Sequence, residues 1–301
     1  MTGDGRVTLS EAARALEVHY MTAYRYLRTG RLAGERVGAT WRVRLEDVNS
    51  LAATPSNGAA PPGRRTSPQR RSARLLERLI SGDEIGAWAI VEEQMKGGDD
   101  PAAIYDELLT MALTSLGESW ARGQVTVAQE HRATVVAARV VARLGPSFRR
   151  RGRTRGTVVL GTVAGDPHAL PGAMLADRLR GIGFEPLDLG ADAPPEAFVE
   201  TARAADRLVA VLVGATTRGH ERVLRSTLGA LRRSEVASPV FIGGRGVVDE
   251  ASALTLGAAG WTGHDAPRAL AVLTALVESS PHPRARATEV TARGRRPSER
   301  R

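Results

Sequence analysis

Cysteine is missing altogether, which excludes a disulfide framework, a thiolate nucleophile and any Cys-ligated metal. Lysine is nearly missing, Lys96 being the single one, so arginine carries the basic side of a balance of 42 Lys and Arg against 33 Asp and Glu. The resulting formal net charge of +9 points to an acidic partner, and nucleic acid is the commonest one. Long apolar runs are also lacking. The opening stretch MTGDGRVTLSEAARALEV has no signal-peptide core, and nothing downstream has the length of a membrane span, so a soluble, cytoplasmic protein without membrane contact is expected. No nucleophile–base pair, paired-carboxylate site or phosphate-binding loop is legible, and independent catalysis is not expected. What remains is ample: 301 residues with 42% hydrophobic side chains suit two or three folded domains.

Periodicity divides the chain into blocks. Residues 1–53 alternate short helical patterns with a turn-rich stretch, and 54–70 (TPSNGAAPPGRRTSPQR) lack apolar periodicity and read as a flexible linker. Residues 71–147 carry apolar side chains at three and four spacing, as in Leu75, Leu76, Leu79 and Ile80, and accommodate four helices with breaks at SGDE, GGDDP and ARGQVT. Across 154–279 the period changes. TVVLGTV, EPLDLG, RLVAVLVGA, PVFIGG and GWTGHD read as strands, separated by helices beginning near His168, Pro194, His220 and Glu250. Such alternation predicts a doubly wound, five-stranded parallel sheet of flavodoxin or Rossmann-like kind, whose ligands sit at the carboxyl ends of the strands. Residues 280–301 are a basic tail expected to be disordered.

The first block has the order of a helix-turn-helix. VTLSEAARAL offers Thr8 or Ser10 as an N-cap and an apolar face of Leu9, Ala12, Ala13 and Leu16, and HYMTAYRYLRTG supplies the second helix. ERVGATWRVRLEDV then reads as a β-hairpin around Gly38-Ala39-Thr40 and a helix from Glu46. The SEAA helix, the YR-containing helix, the Gly-Arg-Leu step and the GATWR hairpin together resemble the excisionase and MerR-like winged helix-turn-helix. That resemblance implies a double-stranded DNA operator, with His19, Thr22, Ala23 and Arg25 near base edges and Arg28, Arg31, Arg36 and Arg42 against phosphates. Trp41 suits a packing anchor of the wing.

The loop after the first parallel strand reads Gly165-Asp166-Pro167-His168. A carboxylate two residues before a histidine fixes the ring's tautomer and raises the basicity of its other nitrogen, as an axial metal ligand requires. Asp166 and His168, followed by Gly243-Gly244 in VFIGGRG, resemble the cobalamin-binding Rossmann-like domain. Two positions depart from that pattern: Pro171 stands where the motif has glycine, with Gly172 one place late, and Gly214 replaces a serine in Gly214-Ala215-Thr216. Upstream, nine residues separate Trp120 from Glu130-His131, similar to the helical cap of CarH/LitR-type adenosylcobalamin photoreceptors.

The resemblance implies His168 as the lower axial ligand of cobalt. Gly172, Gly214, Thr216, Gly243 and Gly244 would line the channel for the nucleotide tail, and Trp120, Glu130 and His131 would border the upper face. The residue after Trp120 is Ala121, where some members carry a second histidine. The expected protein is thus multidomain, an α-rich winged helix-turn-helix, a four-helix bundle and the α/β sheet. It is expected to be a light- or cobalamin-responsive transcriptional regulator acting as a homo-oligomer, dimer or tetramer. Two alternatives stand beside it: the same architecture sensing another tetrapyrrole (a bilin or haem) or no ligand, and a corrinoid carrier serving a methyltransferase.

Overall fold

The structure, a computed structural model, describes residues 6–16, 23, 26–27, 32–37, 40–53 and 67–279, with residues 52 and 53 in backbone only. It divides at Thr66–Ser67 into two compact units.

The first unit is a small winged head. Strand β1 (Arg6–Thr8) leads directly into helix α1 (Leu9–Ala15). Thr8 is its N-cap: the threonine oxygen accepts from the Glu11 N–H while the Glu11 carboxylate accepts from the Thr8 N–H, so two otherwise orphaned donors are satisfied. Strands β2 (Gly34–Val37) and β3 (Thr40–Arg44) form the hairpin, and helix α2 (Leu45–Ala53) closes the unit. The sheet order is β1-β3-β2, antiparallel throughout. Strand β1, three residues long, has no periodicity of its own in the sequence and exists because Val7 pairs with Val43. The core is Leu9, Ala12, Ala13, Ala23, Leu32, Val43 and Val48, with Trp41 partly buried against it.

The second unit opens with the helices. Helix α3 (Pro68–Ser81) begins three residues inside the stretch expected to be linker, because Ser67 caps it by accepting the Arg70 N–H and Pro68 fits a first turn that needs no donor. Helix α4 (Glu84–Gly97) is capped by Asp83. The third rod is compound: α5 (Pro101–Ile104) passes through a π turn (Tyr105–Leu109) into α6 (Thr110–Ala121). Helix α7 (Val127–Leu144) completes the bundle, its start fixed by a Thr126–Gln129 capping box.

A 3-10 turn (Gly145–Phe148) and an arginine-rich connection lead to the parallel sheet. Its elements are β4 (Thr157–Thr162), α8 (Leu170–Gly181), β5 (Glu185–Asp188), α9 (Pro195–Ala204), β6 (Leu208–Gly214), α10 (Glu221–Arg233), β7 (Val240–Gly243), α11 (Glu250–Leu256), β8 (Gly260–Trp261) and α12 (Ala266–Ser279). The order β5-β4-β6-β7-β8 is parallel at every pairing and reverses at β4, the doubly wound arrangement expected. All six residues of β4 are buried, as a central parallel strand covered on both faces requires.

Bundle and sheet share one apolar cluster. Phe148 and Met174 of the sheet side join Leu79, Ile104, Tyr105 and Leu144. Polar contacts reinforce this seam. Tyr105 donates its hydroxyl to Asp177 at 2.6 Å, Arg180 pairs with the same carboxylate, and Arg178 reaches Asp106 at 2.6 Å. Tyr105 and Asp106, the first two residues of the π turn, both reach the same partner helix, α8. Among the described residues no helix is long and apolar enough to cross a membrane.

Candidate corrinoid site at the carboxyl edge of the sheet

The loop leaving β4 is organised by one buried carboxylate. Asp166 is wholly shielded from solvent. Its Oδ1 accepts from the His168 N–H at 3.1 Å and from the His168 ring Nδ1 at 2.6 Å, and its Oδ2 accepts from the Thr216 N–H. One side chain therefore ties the loops after β4 and β6, the two strands that flank the switch point. Burial pushes the Asp166 carboxyl up, but the hydrogen bonds from His168 and Thr216 outweigh it and hold the group below its ordinary value. His168 moves the opposite way. Its hydrogen bond to Asp166 raises it, against a smaller opposing effect of burial, with further help from the charges of Asp166 and Glu130.

With Nδ1–H donated to the carboxylate, the remaining ring nitrogen, Nε2, keeps its lone pair, on a side chain still 45% exposed. Among the described residues no three His, Asp or Glu side chains converge to chelate a bare ion. A single oriented imidazole is the donor set of an axial ligand, where a macrocycle supplies the other positions.

Beyond this loop a cavity of about 700 Å³ runs between the sheet edge and the bundle. Gly172, Gly214, Thr216, Gly243 and Gly244 line it, as do Tyr105, Asp106, Thr110 and Leu113 from the bundle. Its floor is closed to larger side chains. A Cβ on Gly243 would lie 2.0 Å from Thr262 Oγ1, and one on Gly244, whose φ is +94°, would lie 2.4 Å from the Ala215 carbonyl oxygen. Gly214 is less constrained, a Cβ there meeting Thr162 Cγ2 at 3.2 Å. Pro171 falls in the first turn of α8, where no donor is needed, and itself lines the cavity, so the departure at this position leaves the helix start intact.

The other expected residues are distributed differently. Trp120, Glu130 and His131 lie outside the cavity lining. Trp120 is 52% exposed near the end of α6. Glu130, in the first turn of α7, accepts the Thr134 hydroxyl at 2.8 Å and pairs with His131 Nδ1 at 2.9 Å, and its charge acts on His168 across the gap. In the head, Arg36 and Arg42 are exposed on the two strands of the hairpin. Ala23 is a correction: it is completely buried with Leu9 and Leu32, so it packs the head instead of facing a base edge. His19, Thr22, Arg25, Arg28 and Arg31 lie outside the described residues, as does the tail 280–301.

Sequence reading missed Tyr105, Asp106, Arg178 and Arg245. Each sits in an ordinary helical or loop context, and only the closure of bundle on sheet brings them to one cavity. His264 also lines it, with Nε2 2.9 Å from the Val247 carbonyl oxygen and its ring edge-on to Trp261.

Comparison with known proteins gives this geometry a family. Two family models described as B12 binding domain match residues 72–144 and 156–271, and one described as helix-turn-helix domain matches residues 7–54. The dimethylamine corrinoid protein of Methanosarcina barkeri is 30% identical over 159 residues, covering 50% of this chain and 72% of that protein. The chain belongs to the B12-binding corrinoid proteins.

Another member, trimethylamine corrinoid protein 1 of Methanosarcina acetivorans, is 28% identical over 134 residues, 44% of this chain. The match spans 62% of that relative's length. The structure of the Methanosarcina barkeri monomethylamine corrinoid protein superposes with a TM-score of 0.61 at 19% identity, covering 69% of this chain and all of that one, which shows a shared fold. The residues present fit a corrinoid: an imidazole oriented by a buried carboxylate stands at the strand edge, and the nearby cavity is lined by Gly243 and Gly244, neither of which has room for a Cβ.

Proposed function

We propose that this B12-binding protein is a corrinoid-responsive transcriptional regulator, in which adenosylcobalamin bound by the larger unit governs how the winged heads engage an operator. One observation carries the reading: a helix-turn-helix match at 7–54 precedes two B12-binding matches in the same chain. Exposed Arg36 and Arg42 on the wing suit phosphate contacts.

His168 would hold the corrinoid from below through Nε2, kept in that tautomer by Asp166. Gly243 and Gly244 give the tail room, and Trp120 with Glu130 and His131 would border the upper face. When bound, adenosylcobalamin supplies a cobalt–carbon bond that visible light breaks. The role of this chain's residues is to orient and shield. Trp120, half-exposed, would pack against whatever occupies the upper face. A change there would pass along α6 and α7 and alter how copies of the chain assemble. Assembly matters because one small head buries little DNA, and several heads held together gain affinity through effective concentration.

The test is selection of duplex DNA from a random pool by the full chain, without corrinoid and with adenosylcobalamin in the dark and after illumination, alongside measurement of mass in solution. A selected sequence whose binding and assembly depend on corrinoid and light supports the proposal. Failure to enrich any sequence sinks it.

The second reading, a corrinoid carrier for methyl transfer, is favoured by the names of the trimethylamine and dimethylamine corrinoid relatives. It predicts a methylated corrinoid on His168 that a partner methyltransferase loads and unloads, with no sequence preference on DNA.

A further inference from the structure

The cavity at the carboxyl edge of the sheet is lined mostly by apolar and small residues, and its charged lining is short: Asp106, Arg178, Arg245 and Asp265. Three of these are already engaged. Arg178 gives its guanidinium to Asp106 at 2.6 Å and to the Ala102 carbonyl oxygen at 3.4 Å. Asp265 accepts the Arg268 N–H at 2.9 Å at the start of α12. Arg245 differs: among the described residues its guanidinium makes no hydrogen bond, ion pair or ring contact, and the side chain is exposed at the cavity rim.

Its backbone, by contrast, is held hard. The Gly244 N–H donates to the Gly263 carbonyl at 2.9 Å, the Gly246 N–H to the Ala215 carbonyl at 2.8 Å, and the Val247 N–H back to Gly244 at 3.0 Å. Neither flanking glycine accepts a side chain, since a Cβ on Gly246 would lie 2.1 Å from the Thr217 carbonyl oxygen and one on Gly244 2.4 Å from that of Ala215. The chain therefore fixes the Cα of one arginine between two glycines at the mouth of a largely apolar cavity and leaves its five donors unspent. A guanidinium so placed matches a tetrahedral oxyanion, which accepts two parallel N–H bonds.

We infer that Arg245 is an anion-binding residue of this cavity and that its ligand is the single phosphodiester of a corrinoid's nucleotide tail. The inference rests on the corrinoid reading of the site and deepens it. The chain would favour complete corrinoids over those lacking the nucleotide loop, with Arg245 supplying part of that preference. The phosphodiester is the only anionic group of the tail, and the heterocycle beyond it suits the uncharged floor formed by Gly214, Gly243 and Gly244. Because Arg245 lies at the rim, water screens the pair, so the preference is moderate and weakens as salt rises.

The experiment is a dark, anaerobic absorption titration of the full chain with cobalamin and with cobinamide, which lacks the nucleotide loop. Wild type is compared with Arg245→Gln and Arg245→Lys at low and high salt. The expected result is a loss of about 5- to 10-fold in cobalamin affinity for Arg245→Gln, cobinamide affinity unchanged, and a flatter salt dependence. Arg245→Lys should recover part of the loss, since it keeps the charge without the fork. Equal losses for both corrinoids, or no loss for either, would overturn the assignment while leaving the corrinoid reading in place. If the wild-type chain binds neither corrinoid, both fall together. Unchanged far-ultraviolet dichroism of the variants excludes misfolding as the source of a loss.

Discussion

The two walls of the corrinoid site are built on opposite principles. The sheet wall is a backbone surface. Gly243 and Gly244 lie where a Cβ meets backbone or a buried threonine, and Asp166 binds two loops by accepting from main-chain N–H groups as well as from His168. The bundle wall is a side-chain surface. Tyr105 and Asp106 project from a helix to meet α8, while Trp120 and His131 stand exposed elsewhere on the bundle, outside the cavity lining. The first wall is held by main-chain hydrogen bonds, among them Gly244 N–H to the Gly263 carbonyl and Gly246 N–H to the Ala215 carbonyl. The second is held by side chains, Tyr105 by Asp177 and Asp106 by Arg178.

The sharpest way to break the contrast is Gly244→Val. The side chain has no room beside the Ala215 carbonyl and φ is +94°, so a destabilisation of about 4 kcal/mol or more in urea unfolding is expected. Next comes Asp166→Ala, which strands the Thr216 and His168 N–H donors. A cost of about 3 kcal/mol is expected, together with loss of any His-ligated corrinoid spectrum. At the seam, Tyr105→Phe removes one donor to Asp177 but leaves Arg180 in place, so about 1.5 kcal/mol should be lost.

His168→Ala is expected to abolish His-ligated corrinoid binding at about 1 kcal/mol in the corrinoid-free protein. The sign of its pH dependence follows from the directions found. His168 is raised in the folded state, so its contribution is complete below the ordinary histidine value and fades as pH climbs through the raised one. Asp166 is lowered, so its share fades only in acid, as pH falls through its depressed value. The stability gap between wild type and His168→Ala should therefore narrow from pH 6 to pH 9 in denaturant titrations of the corrinoid-free chain. The smallest structural effect belongs to the exposed part of the bundle. Trp120→Ala should change stability by no more than about 0.5 kcal/mol, because half the side chain is already in water, yet weaken adenosylcobalamin binding. A large stability loss there would show that the two walls are not so different.

The sequence by itself determined the sheet, its parallel order of elements, the helical rods and the Asp166–His168 pair. Short apolar runs bounded by turns are strands for local reasons, caps such as Thr8 and Thr126 announce helix starts, and a carboxylate two residues before a histidine meets it within one loop. Tertiary structure alone decided the rest. Strand β1 needed Val43 as a partner, and Ala23 lies in the head core with Leu9 and Leu32. Trp120 was left half in water, although its spacing before Glu130 was visible from the start. Tyr105 meets Asp177 across 72 positions, and Arg245 reaches the same cavity from a loop a further 68 residues on. Distances of that kind are set by how a bundle closes on a sheet, through burial that has no direction and no period along the chain.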